Sequence, residues 1–165
     1  MRIIGHRGAR GEAPENTLGG FRYLHDLGVR AVEFDVRQLQ DGQLIVIHDD
    51  NFQRTTGRSH HVESCDLATA QQFDHRHQWQ AWENEEYTPH LTDVMACLTE
   101  FEHIEVEIKA VADEAAAERL ILSLHNELKG FKKNATITSF DVKILTALQQ
   151  HHSHFKRGLL VEIPL

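Results

Sequence analysis

The chain has 165 residues, 41% apolar and 25% charged, with a formal net charge of −8. That length suits one domain with a real core, the composition excludes a disordered chain, and the acidic balance leaves no basic stripe for a nucleic acid. No stretch approaches the about 18 apolar residues of a membrane span. Met1-Arg2 runs straight into an apolar run and only Cys65 and Cys97 are present, so a soluble cytoplasmic protein with reduced thiols is expected.

Strand and helix patterns alternate along the chain. Residues 2–5 read as a strand that ends in His6-Arg7. Asn16 or Thr17 can cap a helix whose Leu18, Phe21, Leu24 and Leu27 share one face, with Gly28 as its stop. Strands follow at 29–36 and 44–47, joined through the turn pair Asp41-Gly42. That link is too short for a crossover helix, so the two form a hairpin or one bent excursion.

Residues 50–90, polar and rich in His, Gln and Glu, read as a small insertion after the third strand, with one short helix near 67–73. A helix near 92–101, a strand at 104–108 and a long helix at 113–129 come next, with Asp113 as cap and Gly130 beyond the end. A strand at 135–138, a helix at 141–150 and a strand at 158–163 complete the pattern. Such alternation predicts a parallel sheet with helices outside, closed or open. An eight-stranded barrel needs about 250 residues, so a barrel here would lack its closing part.

Polar residues gather at the strand ends. Glu33 and Asp35 stand two apart in a strand and so share a face, flanked by apolar Val32, Phe34 and Val36. Two such carboxylates are costly to bury together unless a cation lies between them. Glu105, Glu107 and Lys109 alternate against apolar neighbours on a later strand, and His48-Asp49 ends the third. Oxygen ligation by Glu33, Asp35 and Glu107 suits a divalent cation such as Mg²⁺ or Ca²⁺ better than zinc. Arg7 and Lys109 suit a phosphate, and two histidines either side of phosphorus suit general acid–base cleavage of a phosphodiester.

In this order, His6-Arg7-Gly8, Pro14-Glu15-Asn16-Thr17, Glu33-Phe34-Asp35-Val36, His48-Asp49, Arg54-Thr55-Thr56-Gly57 and Glu107-Ile108-Lys109 resemble the glycerophosphodiester phosphodiesterases. Thr138-Ser139-Phe140-Asp141 and Gly158-Leu159-Leu160 resemble the next two strand ends. The resemblance implies a (β/α)8 barrel of TIM type over residues 1–165, C-terminally incomplete because the family's last two strand motifs are not in this sequence. It implies hydrolysis of a small-molecule glycerophosphodiester to glycerol 3-phosphate and an alcohol. By the same resemblance His6 is the proton acceptor and His48 the donor, Glu33, Asp35 and Glu107 hold the metal, and Arg7, Lys109 and Glu15 form the phosphate and substrate contacts. The implied route is attack of the glycerol 2-hydroxyl on phosphorus, giving a cyclic phosphate that water opens.

Other readings stand beside these. His6-Arg7 could be a surface loop pair, Glu33 and Asp35 a solvated strand face, and Lys109 a surface lysine. Glu15 either binds the site or anchors Arg7, and Asn16 reads as a helix cap. His60, His61, His75, His77 and the 151–154 histidines lack zinc-site partners and read as solvated surface. Cys65 and Cys97 read as small apolar fillers. Trp79, Trp82 and Tyr87 form either a small core of the insertion or a wall over the alcohol. Unpaired strand edges favour aggregation or a homo-oligomer. Two rival functions remain: a phospholipase-D-like activity on lysolipids, which calls for an exposed apolar lip, and a non-catalytic fragment that binds metal or phosphate.

Overall fold

The computed structural model describes residues 1–131, 133–152 and 154–162. In chain order the elements are β1 (Gly5–His6), α1 (Leu18–Asp26), β2 (Ala31–Gln38), β3 (Leu44–Val46), α2 (Gln53–Thr56), α3 (Leu67–Ala70), α4 (Leu91–Cys97), β4 (His103–Ile108), α5 (Glu114–Leu128), β5 (Ala135–Ser139), α6 (Val142–His151) and β6 (Lys156–Leu159). The parallel strands lie in the order β1-β2-β4-β5-β6, while β3 pairs antiparallel with the far end of β2. Among the described residues β1 and β6 each have one neighbour, so the sheet is an open arc and the barrel is incomplete.

Strand parity decides what each face holds. Val32, Phe34 and Val36 of β2 and Ile104, Val106 and Ile108 of β4 are fully buried beneath the helices. They meet Phe21 and Leu24 of α1, Leu91 and Val94 of α4, and Leu120, Ile121 and Leu124 of α5. The Phe21 and Phe34 rings meet edge to face at 5.7 Å. The odd-numbered residues Glu33, Asp35, Glu105 and Glu107 therefore point to the concave face of the arc. The helices start where short side chains cap them: Thr17 for α1, Asp113 for α5 and Asp141 for α6 each accept from a first-turn N–H.

Several expected boundaries change: the second strand is Ala31–Gln38, not 29–36, and the short helix near 67–73 stops at Ala70. The first strand is Gly5–His6, not 2–5, because only Gly5 and His6 find partners on β2, at Val32 and Glu33. The helix expected near 92–101 stops at Cys97. The last strand begins two residues early, at Lys156, because Phe155 is buried at the end of α6 and delivers the chain directly to β5. It ends at Leu159, and Ile163 lies outside the described residues.

Beyond β3 the chain builds a second small core from Leu39, Ile45, Ile47, Phe52, Val62, Cys65, Ala70 and Phe73. Cys65 is thus an apolar filler, as its isolation suggested. His75 is not solvated surface: it is buried, with Nε2 2.8 Å from Thr88 Oγ1, because a neutral imidazole with a hydroxyl partner sits in a core at little cost. Glu86 docks this segment on α1, its Oε2 accepting from Gly19 N at 2.9 Å and its Oε1 from Trp82 Nε1 at 3.0 Å. A Cβ at Gly19 would stand 1.9 Å from Glu86 Oε1, so a larger residue there displaces that carboxylate.

Candidate active site

Register brings the carboxylates together. Asp35 lies directly opposite Glu107 on the neighbouring strand, and His6 lies opposite Glu33. Glu33, Asp35 and Glu107 each offer an oxygen within 4.8 Å of the others. Asp35 is 1% exposed. Its Oδ2 accepts from Asn16 Nδ2 at 2.9 Å and stands 3.4 Å from Arg7 Nε, and its Oδ1 is 2.8 Å from Lys109 Nζ. Lys109 also reaches Glu107 Oε1 at 2.5 Å. Arg7 N donates to Glu33 Oε2 at 3.0 Å. Glu105 is one layer deeper, paired with His103 at 2.8 Å.

These contacts do not satisfy the cluster. Glu33 Oε1 is buried without a hydrogen-bond partner, and Asp35 Oδ1 has only the Lys109 ammonium, which it shares with Glu107. Burial, and then the Asp35 charge, push the Glu33 carboxyl up to about 7. Three carboxylates that each offer an oxygen within 4.8 Å of the others fit the donor set of a hard, oxygen-loving divalent cation.

The two histidines arrive by different routes. His6 ends β1 with its Nε2 3.7 Å from Glu33 Oε2 and its side chain half-exposed. Burial and the neighbouring Arg7 guanidinium lower its pKa. His48 follows the antiparallel β3, where Ile47 N donates to Asp35 O at 3.0 Å and so returns the chain beside the carboxylate strand. Its Nδ1 is 2.7 Å from Asp49 Oδ1. Burial pushes the Asp49 carboxyl up, but hydrogen bonds from Arg54 and His48 outweigh it and hold the group at about 2.

An ion-pair chain links the two halves of the site. Arg54 grips Asp49 through Nε at 2.7 Å and Glu15 through both Nη atoms at 2.9 and 2.7 Å. Glu15 Oε1 accepts from Arg7 Nη1 at 3.1 Å, and Arg7 Nε faces Asp35. Both Glu15 oxygens are therefore engaged by arginines. Burial pushes its carboxyl up, and Arg54 more than reverses that.

Arg54, Asn16 and Arg37 are neighbours of the site that sequence reasoning did not select. Arg54 stands in a quoted motif, but its partner Glu15 is 39 positions away. Asn16 is not the helix cap, a role that Thr17 takes. It adopts φ 55° opposite Arg7 at φ 51°, and its N–H closes the loop on Arg7 O at 2.9 Å. Asparagine tolerates this left-handed conformation, and the strain is held by the Asp35 contact. Arg37, on the same face as Asp35, donates through Nε to His48 O at 2.9 Å.

Comparison with known proteins places the chain in one family. The model of the Glycerophosphoryl diester phosphodiesterase family matches residues 6–165. A glycerophosphodiester phosphodiesterase of Caldanaerobacter subterraneus subsp. tengcongensis is 30% identical over 166 residues, covering 99% of this chain and 68% of its own. A phosphodiesterase of Oleispira antarctica, solved in complex with the product sn-glycerol-3-phosphate, superposes with a TM-score of 0.86 at 26% identity, over 96% of this chain and 65% of that one. A glycerophosphodiester phosphodiesterase of Agrobacterium tumefaciens gives a TM-score of 0.82 at 25% identity, over 95% and 65%. The chain thus spans about two thirds of the length of these relatives. With the family's model matched from His6 onward and the motif residues converging as described, this chain belongs to the glycerophosphoryl diester phosphodiesterase family.

Proposed function

We propose that this site hydrolyses glycerophosphodiesters to glycerol 3-phosphate and an alcohol, with a divalent cation held by Glu33, Asp35 and Glu107. The observation that carries the reading is the buried, unpartnered Glu33 Oε1 in a three-carboxylate cluster where Asp35 and Glu107 share Lys109 and His6 forms the border. The product bound in the Oleispira antarctica relative supports the substrate class. A bound cation supplies Lewis-acid polarisation of a phosphoryl oxygen and offsets the carboxylate charge.

His6, kept neutral by burial and by Arg7, accepts the proton of the glycerol 2-hydroxyl while that oxygen bonds to phosphorus. The bond from phosphorus to the leaving oxygen breaks, and that oxygen takes a proton from His48. Asp49, ionised throughout the neutral range, fixes the His48 Nδ1 proton and leaves Nε2 for the transfer. Water then opens the cyclic phosphate with the two histidines in reversed roles. Arg7 and Lys109 face the phosphate, and Glu15 is a positioning residue that holds Arg7 and Arg54.

We take residues 1–165 as one partial barrel domain with 50–90 as an excursion from it. No described helix is long and apolar enough to cross a membrane, and the two free cysteines suit the cytoplasm. The lysolipid reading is disfavoured, because the exposed large apolar side chains of residues 49–90 reduce to Tyr87 among the described residues. The test is release of glycerol 3-phosphate from glycerophosphocholine by this chain and by His6→Ala. Release by the parent and its loss in the variant support the reading, and release unchanged by the substitution contradicts it.

A further inference from the structure

A groove of about 660 Å³ runs outward from Lys109, between the β2–β3 hairpin, residues 61–63 and one face of α5. Lys109 forms its inner wall, and its Nζ touches both Asp35 and Glu107 of the carboxylate cluster. Arg37 and Asp50 also line it, and Arg37 is bonded to the backbone of His48. The groove therefore begins beside Lys109, proposed to contact phosphate, and Arg37, which holds the backbone of the proposed proton donor His48. A leaving alcohol would extend into it.

Two guanidinium groups wait in that space. Arg37 uses Nε on His48 O, and among the described residues its two Nη atoms have no hydrogen-bond or ion-pair partner. Arg119, further out on α5, has no side-chain partner among the described residues. The carboxylates whose charge Arg37 feels are Asp50, which accepts from Asn51 Nδ2 at 2.7 Å, and then Asp35, Asp49 and Glu107 of the site; the exposed Glu63 also lines the groove. His61 completes the charged and titratable lining. A free guanidinium fork matches a carboxylate or phosphate in two hydrogen bonds. Among the described residues no Phe, Tyr or Trp lines the groove, so a quaternary ammonium finds none of the ring faces that bind it best. The aromatic cavity of this protein, with Tyr23, Trp82 and Tyr87, lies over α1 and includes none of the proposed catalytic residues.

Resting on the proposed function, we propose that this groove binds the leaving alcohol and selects alcohols that carry an anionic group of their own, received by Arg37 and Arg119. Asp50 and Glu63 accommodate an ammonium on the same alcohol without providing the main recognition.

Glycerophosphoserine and glycerophosphoethanolamine test this cleanly, because their alcohols differ by one carboxylate. Glycerophosphocholine adds the quaternary ammonium. The expected result is a kcat/KM for the serine ester higher than for the ethanolamine ester by about tenfold or more, the size of a charge-assisted hydrogen bond. Arg119→Ala should shrink that ratio, and Arg119→Glu should invert it; Arg119 is exposed, so both variants keep the fold. Arg37→Gln should shrink the ratio too, even if its effect on His48 slows all three esters. Equal rates for the serine and ethanolamine esters, a preference for choline, or a ratio indifferent to Arg119 would overturn the inference and leave the hydrolase reading standing. Release of glycerol 3-phosphate from none of the three would overturn that reading, and this inference with it.

Discussion

Asp35 and Glu107 face each other across adjacent parallel strands, and one lysine, Lys109, lies 2.8 Å from the first and 2.5 Å from the second. With Glu33 beside them, three carboxylates share two cations, Lys109 and Arg7, and the buried Glu33 Oε1 has no partner. The cluster holds more negative charge than its own cations balance. It is built for a ligand of positive charge.

Glu33→Gln removes one charge from that cluster without changing its shape. In chelator the variant is expected to be more stable than the parent by about 1 kcal/mol, a Tm rise of about 2–4 °C. With Mg²⁺ or Ca²⁺ added, the parent should rise in Tm and the variant should not. Thermal unfolding with and without the ion checks both halves.

Asp49 fixes His48 from one side and Arg54 from the other. Asp49→Asn keeps the shape but loses the charge that supports a protonated His48, and kcat should fall by about 10² or more with little change in KM. Arg54→Met leaves Glu15 and Asp49 unpaired. Because Arg54 is 35% exposed, solvent offsets part of the loss, and a cost of about 1–2 kcal/mol is expected in denaturant unfolding.

His75 sets a pH dependence that has nothing to do with catalysis. Burial lowers its pKa from 6.5 to about 4. Between those values the unfolded chain binds the proton and the folded chain does not, so stability rises with pH. The contribution is complete above about 6.5 and is lost as pH falls towards 4, by about 3 kcal/mol in all. His75→Gln, which keeps a partner for Thr88, should flatten the slope of unfolding free energy over that window.

Glu86 holds the excursion against α1 through Gly19 and Trp82. Glu86→Ala leaves the Trp82 N–H and a helix N-terminal N–H without partners, a cost of about 1–3 kcal/mol. Limited proteolysis should then cut within residues 71–88 faster than in the parent.

The clustering of the candidate site residues was legible because they obey short-range rules. Glu33 and Asp35 share a face by strand parity, and Lys109 follows Glu107 by the same parity. The hairpin of β2 and β3 followed from Asp41-Gly42 and the shortness of the link. What lay beyond reach was set by distant partners. Arg54 finds Glu15 only after the excursion folds back, and Asn16 takes its left-handed conformation because the loop must close on Arg7 while reaching Asp35. The bounds of β1 and β6 depend on which residues of β2 and β5 they meet, which apolar pattern alone does not encode. His75 looked like one polar residue among many, and its burial became visible only with Thr88 and Phe52 around it.

The central claim is that glycerophosphodiester hydrolysis occurs at the Glu33–Asp35–Glu107 cluster and needs a divalent cation there. The most direct measurement follows glycerol 3-phosphate release and bound divalent ion together, in the parent chain and in Asp35→Asn, before and after chelation. The account predicts that chelation stops release, that Mg²⁺ or Ca²⁺ restores it in the parent, and that the variant neither binds the ion nor releases product. Release at the parent's rate from chelated protein or from Asp35→Asn would contradict it.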